Sequence, residues 1–69
     1  MNTNRFRHFK GNEYVVVCFA KHSETNEEFV IYKKSNEDKI WARPSSMFFE
    51  RVNLDGTLTP RFQPIYDQS

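Results

Sequence analysis

Apolar and polar positions along this chain alternate in short runs, and the runs predict strands rather than helices. Residues 5–10 alternate basic with aromatic side chains and stop at Gly11, a natural turn position. Residues 14–20 give the strongest strand signal, because β-branched and aromatic residues fill a stretch too short for a helix. Strict alternation puts Tyr14, Val16, Cys18 and Ala20 on one face and Val15, Val17 and Phe19 on the other. Both faces are then apolar, so both are expected to be covered. Phe62 and Ile65, near the end of the chain, are the candidates for covering the Val15 side.

Residues 22–28 are polar and rich in turn formers. Thr25 and Glu28 have capping-box spacing, yet residues 29–32 lack helical periodicity, so the reading is a hairpin across a polar loop. A second polar turn at residues 35–38 leads to residues 39–43, where Trp41 and Arg43 share one face and Ile40 and Ala42 the other. Pro44 stops that strand, and residues 44–48 suit one short helical or 3-10 turn that tucks Met47 and Phe48 inward. A strand at residues 49–54, an Asp55-Gly56 hairpin turn and a return beginning at Leu58 follow. Pro60 and Pro64 bias the remainder toward an extended path. The pattern predicts a mostly β, SH3-like barrel of about five or six short strands with one helical turn. It covers residues 5–59 of a single domain spanning 1–69, with 60–69 as an extended tail.

Composition sharpens this picture. A 69-residue chain buries little surface, and its 16% aromatic content supplies the bulk that a small core requires. Ten basic and nine acidic residues give a net charge of +1, so no long-range attraction to nucleic acid is expected. The one local basic cluster is Arg5, Arg7, His8 and Lys10. Cys18 is the single cysteine, which excludes an internal disulfide, suits a reducing compartment and reads as a small buried side chain. No apolar run is long enough to cross a bilayer, and the polar opening at residues 1–4 lacks a signal-peptide core, so a cytoplasmic protein without membrane contact is expected.

The candidate chemistry lies in His22, Ser23, Glu24 and Thr25, which a barrel could bring near His8, Trp41, Arg43 and Arg61. Ser23 with His22 or His8 has the residue types of a nucleophile and base, but no glycine-rich elbow surrounds it, and Ser23 and Thr25 read better as turn caps. His8, His22 and Glu24 could ligate a divalent ion, yet their spacing matches no established ligand motif, so no metal or cofactor is assigned. Arg43 is expected to brace the polar loop through Glu24, Glu28 or Glu50. Tyr32 and Phe48 read as core, and Trp41 as a partly exposed anchor. Gly11 and Gly56 stand alone, which rules out a glycine-rich phosphate loop.

Several stretches together resemble a family of small bacterial proteins known as a domain of unknown function, number sixteen fifty-three of that series. The likeness runs from Arg7-His8-Phe9-Lys10-Gly11, Tyr14 and Val16 through Ala20-Lys21-His22-Ser23-Glu24-Thr25, Glu28, Val30 and Tyr32. It continues at Trp41-Ala42-Arg43-Pro44, Met47-Phe48, Glu50, Val52 and Asp55-Gly56, and ends at Pro60-Arg61-Phe62. The chain departs from the family at Lys34-Ser35-Asn36-Glu37-Asp38, where members carry a more apolar, glycine-containing turn. The resemblance implies a compact β domain, alone or attached to others, without an established activity.

The leading functional expectation is a non-enzymatic module, monomer or homodimer, that contacts a protein or nucleic-acid partner through residues 22–25 and the Trp41/Arg43 face. The nucleic-acid form needs Arg5, Arg7, Lys10, Arg43 and Arg61 to converge. The alternatives are a small hydrolase or metal-binding protein using His8, His22, Ser23 and Glu24, and a structural accessory that dimerises through Val15, Val17 and Phe19.

Overall fold

The strand predicted at residues 14–20 is the spine of the computed structural model, which describes residues 3–66. In chain order the elements are β1 (Arg5–His8), β2 (Glu13–Lys21), β3 (Glu28–Lys34), β4 (Trp41–Pro44), α1 (Ser45–Phe48), β5 (Arg51–Leu54), β6 (Thr57–Pro60) and β7 (Phe62–Pro64). One antiparallel sheet has the order β4-β3-β2-β1-β7, and β5 and β6 form a separate hairpin. The protein is therefore mostly β with one helical turn, as the alternation predicts. Among the described residues the two sheets stay open and do not close into the expected SH3-like barrel. Residues 62–64 of the expected tail are a sheet strand paired with β1, and residues 67–69 lie outside the described residues.

Local chemistry fixes the connections. Asp55 and Gly56 both take positive φ, 54° and 85°, and this primed turn matches the twist of the strands it joins. The Asn53 side chain accepts the Gly56 N–H at 2.8 Å. Between β2 and β3, Asn26 at φ 63° closes the polar loop, with its N–H donating to the His22 carbonyl at 2.8 Å. No helix grows from Thr25, because the chain returns to strand at Glu28. Pro44 sits at the N-cap of α1 with extended backbone, so it ends β4 and lets the next residue start a turn.

The core lies on one face of the large sheet. Phe6, Val16, Val30, Tyr32, Phe48 and Phe62 are buried together, with Tyr14 packed against them. Phe48 is fully buried and stacks on Phe62, with ring centroids 4.1 Å apart and planes 3° from parallel. Phe6 and Tyr32 meet Phe48 edge-on at 5.3 and 5.4 Å. Met47, expected inward beside Phe48, is 46% exposed, because a single helical turn can aim only part of its circumference at the sheet. No helix among the described residues is long and apolar enough to cross a membrane.

A β-bulge at Val17 overturns the simple alternation of β2. Val16 pairs with Tyr32, and the ladder then resumes with Cys18 opposite Ile31 and Phe19 opposite Val30. The extra residue reverses facing, so Phe19 joins Tyr14 and Val16 on the core side while Cys18 and Ala20 turn outward. Val15, Val17 and Phe19 consequently do not form one continuous stripe. Cys18, expected to be buried, is exposed. Val17 is 52% exposed, so the outer face is not covered as expected. Phe62 packs on Phe48, Tyr14 and Tyr32, on the core side rather than over the Val15 side.

Candidate functional site

Past the rim of the core, the same sheet face opens into a concavity of about 320 Å³ lined by Tyr14, Tyr32, Lys34, Glu37, Trp41 and Arg43. Register explains the grouping. Tyr14 pairs with Lys34, and Tyr32 pairs with Trp41, so all four side chains project to one face from three adjacent strands. Tyr14 and Tyr32 meet edge-on at 5.6 Å. Trp41 is 44% exposed, and the Lys39 ammonium sits 4.5 Å over its ring. Arg43, two residues along β4 from Trp41, donates its Nε–H to the Tyr32 hydroxyl at 3.3 Å and lies 5.9 Å over the Phe62 ring. That placement differs from the expected brace between Arg43 and a loop carboxylate. Glu50 accepts instead from Arg61 at 2.7 Å, and Glu28 accepts from the Ser45 hydroxyl at 3.0 Å. Glu37 lies 3.9 Å from the Lys34 ammonium, a partly exposed pair that holds the lysine loosely.

His8 borders this concavity through Tyr14, whose ring centroid is 6.2 Å away, and it meets Phe62 edge-on at 5.0 Å. Its Nδ1 accepts the Lys10 backbone N–H at 3.1 Å. Burial, reinforced by the positive charges of Arg61, Lys10 and Arg43, holds its pKa below the ordinary histidine value. Arg5 and Arg7 do not join them, because β1 pairs Arg5 with Val15 and Arg7 with Glu13, on the side opposite Phe6. Arg5 instead meets the Glu13 carboxylate at 3.2 Å.

The structure divides the residues singled out in the sequence into two groups. Trp41 and Arg43 line the concavity, His8 meets its Tyr14 wall, and Arg61 is ion-paired with Glu50 and acts on His8 through its charge. His22, Ser23, Glu24 and Thr25 form the loop at the far end of β2. With nine residues in that strand, the two histidines stand at ends separated by about 25 Å. In the loop, the His22 ring is the acceptor that sequence reasoning gave to Ser23. Its Nδ1 takes the Glu24 and Thr25 N–H groups at 3.1 and 3.3 Å, while the Thr25 hydroxyl takes the Glu27 N–H at 3.2 Å. Among the described residues no three His, Cys, Asp or Glu side chains gather as a metal set. Tyr14 and Lys34 were missed as site residues. Their antiparallel pairing carries no signal in either segment alone, and counting back from the hairpin would set Lys34 opposite Val15; the bulge at Val17 shifts it to Tyr14.

Fold and site together define a small antiparallel β module with an aromatic, cation-rimmed concavity on its core-bearing face. The chain belongs to the DUF1653 family, described as a protein of unknown function, whose sequence profile matches residues 4–64. A crystal structure of a protein of that family from Bordetella bronchiseptica superposes with a TM-score of 0.80 at 24% identity, covering 100% of this chain and 92% of the other. That likeness establishes a shared fold. No curated protein matches the chain.

Proposed function

We propose that this domain is a non-enzymatic interaction module whose recognition surface is the concavity around Trp41. One observation carries the reading: Trp41, the chain's single tryptophan, stays 44% exposed beside Tyr14, Tyr32 and two cations, whereas Phe6, Tyr32, Phe48 and Phe62 of this face are packed into the core. An aromatic anchor partly open to solvent, with polar groups fixed at its rim, is the composition of a recognition hot spot. The Tyr32 hydroxyl orients Arg43, so the guanidinium is presented in one geometry. Separation of His8 from the loop of residues 22–25 supports a binding role over a hydrolase or metal site built from both, since catalytic groups must lie within hydrogen-bond reach. The loop then serves to close the β2–β3 hairpin.

The test uses the tryptophan as its own reporter. Titration with panels of short peptides and oligonucleotides is expected to change Trp41 emission and to move the amide resonances of Tyr14, Lys34 and Arg43 together. A ligand whose shifts cluster on residues 22–25 or on the outer sheet face, with Trp41 silent, sinks the assignment.

A further inference from the structure

We infer that the ligand of this concavity is a single-stranded nucleic acid, with a base stacked on Trp41 beside Tyr14 and the flanking phosphates held by Lys34, Lys39 and Arg43. This inference rests on the reading of the concavity as the recognition surface and adds the chemistry of what it recognises.

Charge distribution is the first argument. The chain as a whole is close to neutral, at +1. Yet Lys34 and Arg43 line the concavity, Lys39 covers its tryptophan, and Arg61 and Lys10 join Arg43 in the field acting on His8. Against these five cations stand Glu37 on the wall and Glu50, the latter engaged by Arg61. The neutral sum therefore conceals a basic strip, and such a strip complements a polyanion.

Alternation of aromatic and cationic groups is the second argument. Read across the sheet, the order is Lys39 over Trp41, then Tyr32 bonded to Arg43, then Tyr14 against His8, whose Nδ1 accepts the Lys10 backbone N–H. A platform that interleaves ring faces with phosphate-seeking cations suits unstacked bases on a flexible backbone, whereas a duplex hides its base faces. An acidic peptide satisfies the cations but leaves the exposed Trp41 ring and the partly buried Tyr14 ring without a planar partner.

The experiment titrates the intact chain with eight-nucleotide oligouridylate and oligothymidylate, and separately with a glutamate-rich peptide containing tyrosine. The expected result is quenching of Trp41 by the oligonucleotides, with shifts at Tyr14, Lys34 and Arg43. Affinity should fall about 20-fold between 50 and 200 mM salt if three phosphates are neutralised. Trp41→Ala should weaken binding by about 10- to 100-fold and Trp41→Phe by much less, as stacking requires. Lys34→Gln, a rim substitution away from the core, should lower affinity and flatten the salt dependence. Tighter binding of the ribo-oligomer assigns a contact to the 2′-hydroxyl, and equal binding assigns recognition to bases and phosphates alone, each in keeping with the inference. If the peptide perturbs Trp41 and neither oligonucleotide does, the nucleic-acid assignment fails while the concavity stands as a binding surface. If oligonucleotides bind but shift Arg5 and Arg7 instead, or if no probe reaches Trp41, the inference is overturned outright.

Discussion

Phe48 and Phe49 are adjacent in sequence and opposite in role, which allows one side chain to act as the other's control. Phe48 is fully buried, stacked on Phe62 and edge-on to Phe6 and Tyr32, whereas Phe49 is 52% exposed. Replacing Phe48 with Ala would remove about 3–5 kcal/mol, against a total stability of roughly 3–10 kcal/mol for a domain this size, so that variant borders on unfolded. Phe48→Leu is the measurable perturbation. It keeps most of the apolar bulk but forfeits the stacked pair and its edge-on neighbours, worth about 0.5–1.5 kcal/mol per pair at most, and it leaves a partial void. The expected loss is about 1.5–2.5 kcal/mol. With a urea slope near 1 kcal/mol/M for so small a protein, the midpoint falls by about 1.5–2.5 M. Phe49→Leu should move it by less than about 1 M, since Phe49 is half exposed and loses only its edge-on contacts with Phe48 at 4.9 Å and Phe6 at 6.2 Å. Urea unfolding followed by far-ultraviolet circular dichroism measures both. Equal midpoint shifts for the two variants would refute the assignment of Phe48 as the centre of the core.

Two further outcomes follow from the structure. Because burial first, then Arg61, Lys10 and Arg43, depress the His8 pKa, the unfolded ring takes up a proton more readily than the folded one. Stability from this group is complete above about pH 6.5 and is lost as pH falls through the lowered folded value. His8→Gln should flatten the urea midpoint between pH 7 and 5, and an unchanged slope would exclude His8 as the source. Cys18 should react with Ellman's reagent in the native protein at nearly the rate of the denatured chain, because the bulge turns it outward. Labelling that waits for denaturant would place the thiol inside.

Strands and turns were legible wherever the signal was local. Asp55-Gly56 announces its hairpin because few other residue pairs accept two positive φ values in succession. The short helical turn after Pro44 was equally readable, since proline limits what can precede and follow it. The Val17 bulge was not, because three consecutive valines look alike whichever one is squeezed out of the ladder. That single insertion explains why Cys18 and Phe19 were assigned to the wrong sides. Sheet closure was also hidden: strand count and length permit a barrel, whereas the β7–β1 pairing depends on a long-range match between Phe62–Pro64 and Arg5–His8. Of the six residues that line the concavity, Trp41 and Arg43 were singled out from the sequence. The geometry of the site was not legible, because the division between the concavity and the loop depends on the length of β2, which carries its two ends in opposite directions.

The hairpin of β5 and β6 is buttoned at its foot by the Glu50–Arg61 ion pair at 2.7 Å and by the Arg61 N–H donating to the Glu50 carbonyl at 2.9 Å. Leu54 and Leu58, near its tip, remain exposed, so little of the main sheet depends on what happens there. A foot fastened this way decouples the protrusion's reach from the body's integrity. Residues could be added at the Asp55–Gly56 crest, or a foreign epitope grafted onto it, and the lengthened finger would still start and finish at the same two points.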